Sequence, residues 1–116
     1  MIQTDKPVVS LVLADLSNAY LYNTILTMAN LKGANLSHAV LDLAGLSRAA
    51  LSDAYLGNAS LRGTHLMGAD LSRAFLLGAD LSRAKMQGAT GVTSQQLEQQ
   101  AYSLEGAIMP DGSKHP

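Results

Sequence analysis

Residues 69–84 read ADLSRAFLLGADLSRA, which places leucine at positions 71, 76 and 81. The same five-residue spacing extends outward in both directions, with leucine, or methionine once, at sixteen successive positions. These positions are Leu11, Leu16, Leu21, Leu26, Leu31, Leu36, Leu41, Leu46, Leu51, Leu56, Leu61, Leu66, Leu71, Leu76, Leu81 and Met86. Two residues before each of them stands a second small residue, which is alanine in most repeats. A short period held over so many residues is the signature of a repeat architecture.

A five-residue period fits neither a regular helix nor a flat strand. Each step around an α-helix would move the leucine by about 140°, which spreads the set over the whole surface. In a strand an odd step moves the leucine to the opposite face. The chain must therefore turn a corner within every repeat, and four corners close a coil of about twenty residues. The pattern predicts an all-β solenoid of about four coils, with leucine inside and alanine beside it.

The repeats resemble the motif A-(D/N)-L-x-x of the pentapeptide-repeat protein family. Good matches are Ala14-Asp15-Leu16-Ser17-Asn18, Ala29-Asn30-Leu31-Lys32-Gly33, Ala34-Asn35-Leu36-Ser37-His38, Ala69-Asp70-Leu71-Ser72-Arg73 and Ala79-Asp80-Leu81-Ser82-Arg83. The resemblance covers residues 9–90 and implies a right-handed quadrilateral β-helix with four pentapeptides per coil. The position before leucine often departs from Asp or Asn, which the fold tolerates because that position is expected to face outward.

The repeat ladder ends at Met86, and a capping helix is predicted to follow. Thr93 and Gln96 form a capping box, and an apolar stripe continues at Leu97, Ala101 and Leu104. Gly106 then supplies a stop signal. We expect a helix over residues 94–105 that covers the last coil, with a dimer interface as the alternative role. The tail at residues 113–116 is expected to be mobile. The predicted division is residues 1–8 as lead or cap, 9–90 as β-helix, and 91–116 as helix cap and tail.

The N-terminal end of the solenoid is unusually apolar, with Val8, Val9, Leu11, Val12 and Leu13 close together. Open strand edges invite association unless they are covered. The sequence leaves two alternatives: the preceding residues pack back on the first coil, or another subunit covers it. A homodimer through one end of the solenoid is therefore among the expected partners.

Composition places limits on the function. The 116 residues carry eight basic and nine acidic side chains, a net charge of −1, which favours no nucleic-acid partner. The chain has no cysteine, no signal-like start and no apolar run long enough to span a membrane. We expect a soluble cytoplasmic protein without membrane contact.

Residues twenty apart should stack in columns on the outside of the coil. This predicts one apolar cluster formed by Tyr20, Tyr22, Val40 and Leu43, and a second formed by Tyr55, Phe75 and Leu77. Exposed aromatic clusters can mark contact surfaces for another protein. The alternative is stacking between neighbouring strands, which stabilises the ladder without any partner.

Residues that could carry catalysis or hold a metal are not grouped in the sequence. His38, His65 and His115 are far apart, and no nucleophile, zinc or phosphate-binding motif occurs. We therefore expect no enzyme activity, no catalytic residues, no cofactor and no metal.

The predicted function is a non-catalytic scaffold whose flat faces bind another protein. The family resemblance implies one alternative, a DNA mimic that inhibits DNA gyrase. A DNA mimic needs a strongly negative surface. Residues 9–88 carry six basic and five acidic side chains, a net charge of +1, and four coils make a short rod, so the alternative is disfavoured.

Overall fold

The computed structural model describes residues 8–116, and in it the chain coils with a period of twenty residues. The residue before each inward leucine pairs in parallel with the residue twenty positions later, from Ser10 with Asn30 through Asp70 with Thr90. The β-structure consists of these single-residue bridges because the chain turns a corner every five residues. The one helix among the described residues, α1, spans Ser94–Gln100. The predicted twenty-residue coil is confirmed by this pairing.

Main-chain hydrogen bonds between coils repeat in successive pentapeptides from Leu11 to Leu71. The Leu31 N–H donates to the Ala50 carbonyl at 2.8 Å, and the Gly33 N–H donates to the Ser52 carbonyl at 2.9 Å. The Ala50 N–H in turn donates to the Ala29 carbonyl at 2.9 Å. Because buried backbone groups must find partners, this pattern lets a narrow tube bury its chain without unpaired polar groups.

The inward ladder forms the core. From Leu31 to Met86 the ladder side chains are almost completely buried, and the alanines beside them are also buried except for the half-buried Ala74. Thr64 stands in one alanine position, and its buried hydroxyl donates to the Leu41 carbonyl at 2.9 Å. Leu11, Leu16 and Leu21 of the first coil point inward but are only partly buried. The predicted core is therefore confirmed, with a weaker end at the first coil.

Each corner is a four-residue turn whose third residue has a left-handed backbone. The Ala34 N–H donates to the Leu31 carbonyl at 3.0 Å, and Gly33 between them has a φ of 67°. A positive φ at this place is what a type II turn requires. Five repeat glycines take this conformation at the same place in the corner: Gly33, Gly63, Gly68, Gly78 and Gly88. Eleven non-glycine residues adopt the same conformation, with φ between 57° and 63°, which the sequence did not reveal.

The Asp or Asn before leucine has a local structural role. The Asp70 carboxylate accepts from the Ser72 N–H at 3.0 Å and from the Ser72 hydroxyl at 2.6 Å. The Ser72 hydroxyl and N–H hold the pKa of Asp70 below its ordinary value. Asp15 with Ser17 repeats the arrangement and also lowers the pKa of that carboxyl. Side chains of this kind stabilise turns by bonding to the backbone two residues on.

The predicted helix begins correctly but ends earlier than expected. The Gln96 N–H donates to the Thr93 hydroxyl at 3.1 Å, and the Thr93 N–H donates to the Gln96 side-chain oxygen at 2.9 Å. The prediction of helix to residue 105 is wrong, because the chain becomes extended at Ala101. Beyond it Ser103 pairs with Asp80, so the chain resumes the coil.

The ladder itself also continues past Met86. Leu104 and Met109 are buried at the inward position of two further turns, and Ile108 pairs with Lys85. Ile108 also pairs antiparallel with Lys114, and the His115 N–H donates to the Ala107 carbonyl at 2.8 Å. The tail from residue 113 is thus hydrogen-bonded to the cap, contrary to the expectation of a loose end.

Gln100, the last residue of α1, joins the helix to the edge of the coil below. Its carbonyl accepts from the Gly78 N–H at 2.8 Å, and its side-chain oxygen accepts from the Leu76 N–H at 3.2 Å. Gln100 thereby gives hydrogen-bond acceptors to two backbone N–H groups, those of Leu76 and Gly78, that a further strand would otherwise bond. The C-terminal edge is closed by α1 and by the returning chain, residues 101–116, which pairs with the coil from Ser103.

The predicted packing of residues 1–7 on the first coil lies outside the described residues. Within residues 8–116, no helix combines the length and apolar character of a membrane span.

Glycine at the left-handed position of a corner should be more sensitive to substitution than glycine at the position before it. Gly63 has a φ of 63°, and a Cβ added there would lie 2.7 Å from Leu43 Cδ2. A Cβ added at Gly57 would have Leu77 O as its nearest neighbour, at 3.6 Å. We expect Gly63→Ala to lower the free energy of unfolding by about 1–2 kcal/mol. The Gly57→Ala control should stay within about 0.5 kcal/mol. Urea unfolding measures both, and equal losses would contradict the turn assignment.

Acid should weaken the turns that aspartate stabilises. Because the pKa values of Asp15 and Asp70 are lowered in the folded chain, their contribution is present above the unfolded pKa of about 4. It is lost as the pH falls toward the folded values. The double variant Asp15→Asn/Asp70→Asn keeps an accepting oxygen at both turns. Its urea midpoint should fall less than that of the unsubstituted chain between pH 7 and pH 3, and parallel decreases would argue against this role.

Gln100 should protect the edge of the coil beneath it. In Gln100→Ala the Leu76 N–H loses its acceptor, which should cost about 1 kcal/mol. Exchange of the Leu76 amide hydrogen with solvent should accelerate accordingly. Gln99→Ala, at the exposed neighbouring position, is the control and should leave that amide protected. Unchanged protection in Gln100→Ala would show that the side-chain bond is dispensable.

Candidate functional site

The cluster predicted near the N-terminal end consists of Tyr20, Tyr22, Val40 and Leu43. Tyr20 pairs with Val40 across neighbouring coils, and the rings of Tyr20 and Tyr22 lie 6.2 Å apart at an interplanar angle of 13°. Tyr20 is 75% exposed and Val40 is half-buried. Leu43 is exposed at the next corner, but its side chain extends over Gly63 of the following coil. The tyrosine pair and Val40 are adjacent, and Leu43 packs over the next coil on its C-terminal side.

The second predicted cluster is more compact. Tyr55 and Phe75 pair across neighbouring coils, and their rings stack with centroids 4.9 Å apart and planes within 2°. Phe75 is 54% exposed and Leu77, two residues along the same turn, is 70% exposed. We call Tyr55, Phe75 and Leu77 the aromatic face. The rings stack because the bridge places the two residues one coil apart, a separation at which offset rings make contact. Both rings keep exposed surface for a further contact.

The first coil carries more exposed apolar surface than the tyrosine cluster alone, which is the part that sequence reasoning had included in the candidate site. Of the thirteen large exposed hydrophobic side chains among the described residues, eight lie in residues 8–28. They are Val8, Val9, Val12, Leu13, Tyr20, Tyr22, Ile25 and Met28. Ile25 and Met28 were missed because each is a single apolar residue at an outward position. Assigning all outward positions to coils would have revealed the concentration.

Two ion pairs join charges on neighbouring coils. Arg73 Nε lies 2.9 Å from Asp53 Oδ1, and Arg73 Nη2 lies 3.2 Å from Asp53 Oδ2. The hydrogen bond from Arg73 lowers the pKa of Asp53. Arg62 Nε lies 3.0 Å from Asp80 Oδ2. Ion pairs as exposed as these contribute little stability. With six basic and five acidic side chains, residues 9–88 carry charges of both signs in nearly equal number.

Potential ligand groups are dispersed in the described part of the chain. No set of three or more His, Asp or Glu side chains within residues 8–116 is placed to hold a metal ion. A shallow open depression of ≈ 370 Å³ lies between α1 and the returning chain. It is lined by Glu98, Ala101, Tyr102, Ser103, Leu104 and His115, and His115 Nε2 lies 3.9 Å from Glu98 Oε1. Ser103 and His115 both line this depression, but no hydrogen bond joins them in the described part of the chain, and the Ser103 hydroxyl lies 2.8 Å from the Ser82 hydroxyl.

The chain is similar to several solved pentapeptide repeat structures. It is 40% identical to HetL, which is involved in heterocyst differentiation regulation in the cyanobacterium Nostoc sp. strain PCC 7120. That match covers 87% of this chain and 43% of HetL, with a TM-score of 0.52. The chain thus spans less than half the length of HetL. It is also 32% identical to alr5209 of Nostoc PCC 7120, over 79% of this chain and 84% of that one, with a TM-score of 0.39.

A trypsin-treated variant of QnrB1, a plasmid-mediated fluoroquinolone resistance protein, shares the fold at 17% identity. The match covers 84% of this chain and 56% of that one, with a TM-score of 0.52. No curated protein sequence matches this chain significantly.

A sequence profile described as pentapeptide repeats matches eight copies, over residues 14–52 and 49–88. Members of that family fold as right-handed quadrilateral β-helices, which agrees with the coil described above. They are generally structural or interaction proteins. The matched residues make up more than half of the 116, and the chain belongs to the pentapeptide repeat family.

Proposed function

We propose that this chain is a non-catalytic scaffold that binds another protein through a flat face of its β-helix. The rigid body is the repeat region of residues 9–90, about four coils long, and residues 91–116 close its C-terminal end. The observation that carries the proposal is the aromatic face, where two stacked rings and a leucine remain exposed on a regular ladder.

The aromatic face is organised before any partner arrives. Tyr55 and Phe75 are fixed by backbone pairing on neighbouring coils, and their rings already stack. Binding would therefore cost these two side chains little conformational entropy, which favours affinity. Exposed aromatic side chains also dominate the energetics of many interfaces. The expected partner surface is apolar at its centre, with polar groups that can reach the Tyr55 hydroxyl.

The charges on the faces favour a partner that binds through complementary shape and apolar contacts, and do not favour one that binds through charge. Residues 9–88 have a net charge of +1, and Asp53 and Asp80 are paired with Arg73 and Arg62. Binding should therefore depend only weakly on salt. The same pattern opposes a DNA mimic, which would need an extended negative surface. HetL is involved in regulation, and we extend to this chain a regulatory role exerted through protein contact.

Loss of the aromatic face should abolish partner capture. We expect the triple variant Tyr55→Ser/Phe75→Ser/Leu77→Ser to retain less than a tenth of the partner recovered with the unsubstituted chain, because such anchors contribute about 2 kcal/mol or more. Affinity purification from the source cells, with quantitative mass spectrometry, measures the recovery.

The matched control places the same substitutions ten residues later, on the opposite face. His65→Ser/Lys85→Ser/Gln87→Ser occupies the corresponding repeat positions and should retain the partner. Both variants are first checked for an unchanged urea midpoint. A partner recovered equally with the two variants would show that the aromatic face is not the contact surface.

A further inference from the structure

The first coil combines apolar side chains with an open backbone edge. Eight of the thirteen large exposed hydrophobic side chains of the described residues lie in residues 8–28, and Ile25 is 82% exposed. The inward residues Leu11, Leu16 and Leu21 are also only partly buried. Contiguous apolar surface of this kind marks a contact site more often than scattered single residues do. We call this end of the molecule the N-terminal edge.

Backbone groups at the N-terminal edge point away from the rest of the coil. Within residues 8–116, the N–H and carbonyl groups of Asp15 and Tyr20 have no main-chain partner. The corresponding groups one coil later are bonded, since the Asn35 N–H donates to Ala14 and the Val40 N–H donates to Ala19, each at 2.9 Å. An edge of unpaired donors and acceptors is a template for a further strand.

Asp15 and Tyr20 are therefore open on this side within residues 8–116, and a further segment can pair with them there.

Charge favours a second copy of the same chain as that segment. Asp15 is the one charged side chain in residues 8–28, so two N-terminal edges meet with almost no repulsion between them. A basic or acidic partner would find nothing complementary here. The opposite end of the molecule is covered by α1 and the chain that returns through Lys114, so head-to-tail stacking is blocked. Edge-to-edge contact about a two-fold axis gives a closed dimer instead of a filament.

We propose that the N-terminal edge is a homodimer interface in which the first coils of two copies abut. The molecule is 28 × 23 Å across its shorter dimensions. An end contact can therefore bury roughly 500–600 Å² on each copy, or about 1,000–1,200 Å² in total, near the lower limit for a stable interface. The proposal does not rest on the aromatic face, which stays exposed in both copies.

Molecular mass in solution tests the dimer. Sedimentation velocity of the full chain from 1 to 100 µM should show the mass rise from 12.2 kDa toward twice that value. Ile25→Lys and Tyr20→Lys should each raise the dissociation constant at least tenfold, because charge is introduced into an apolar edge. His65→Lys, at the same repeat position as Ile25 two coils later, should leave the constant unchanged.

Further measurements separate the alternatives. A monomer at 100 µM, or a dimer indifferent to both edge substitutions, would overturn the proposal. Protection of the Asp15 and Tyr20 amides from hydrogen exchange in a monomer would also overturn it, since the chain's own residues would then cover the edge. Urea midpoints check that the variants fold, which is expected because Ile25 and Tyr20 are exposed. A variant with Phe75→Ser should still dimerise, so failure of the proposed function leaves this inference standing.

Discussion

The rest of the structure depends on the left-handed residue at each corner. Two positions after every ladder residue from Leu11 to Met86, the backbone φ lies between 57° and 77°. That conformation turns the chain and brings the next leucine back to the interior. Twelve ladder side chains, from Leu31 to Met86, can therefore be almost completely buried in a tube with few aromatic residues. The non-glycine residues at corners are tolerated because pairing with neighbouring coils holds them in place.

In a stack of similar coils, the interior residues provide stability, and function is left to the residues on the faces and at the ends. Each coil contacts only its neighbours, so the interior is the same throughout and differences lie on the faces and at the ends. The ends differ sharply in this molecule. The C-terminal edge is closed by Gln100 and the returning strand, whereas the N-terminal edge has an apolar rim and unpaired backbone groups within residues 8–116. The aromatic face lies between these ends.

The period, the inward residues and the start of α1 were predictable because they depend on local spacing. The end of α1 was not, and the reason lies in Leu97, Ala101 and Leu104. Their spacing suits a helical stripe, yet Leu104 also fills the inward position of a resumed repeat. The resumed coil is shifted, since Ser103 pairs with Asp80 at a separation of 23 residues instead of 20. A fixed period in the sequence gives no sign of such an insertion.

The amino-acid sequence by itself determined the coil, its leucine and alanine interior, and the columns that place Tyr20 beside Val40 and Tyr55 beside Phe75. A five-residue period buries all its leucines when the chain turns a corner in every repeat, so these features follow from the local spacing of residues. Only the tertiary structure decided that Leu43 packs over Gly63, and that Arg73 pairs with Asp53 across coils. It also decided which described edge is closed. These features depend on distances between segments about twenty residues apart, and such distances are set only when the coils stack.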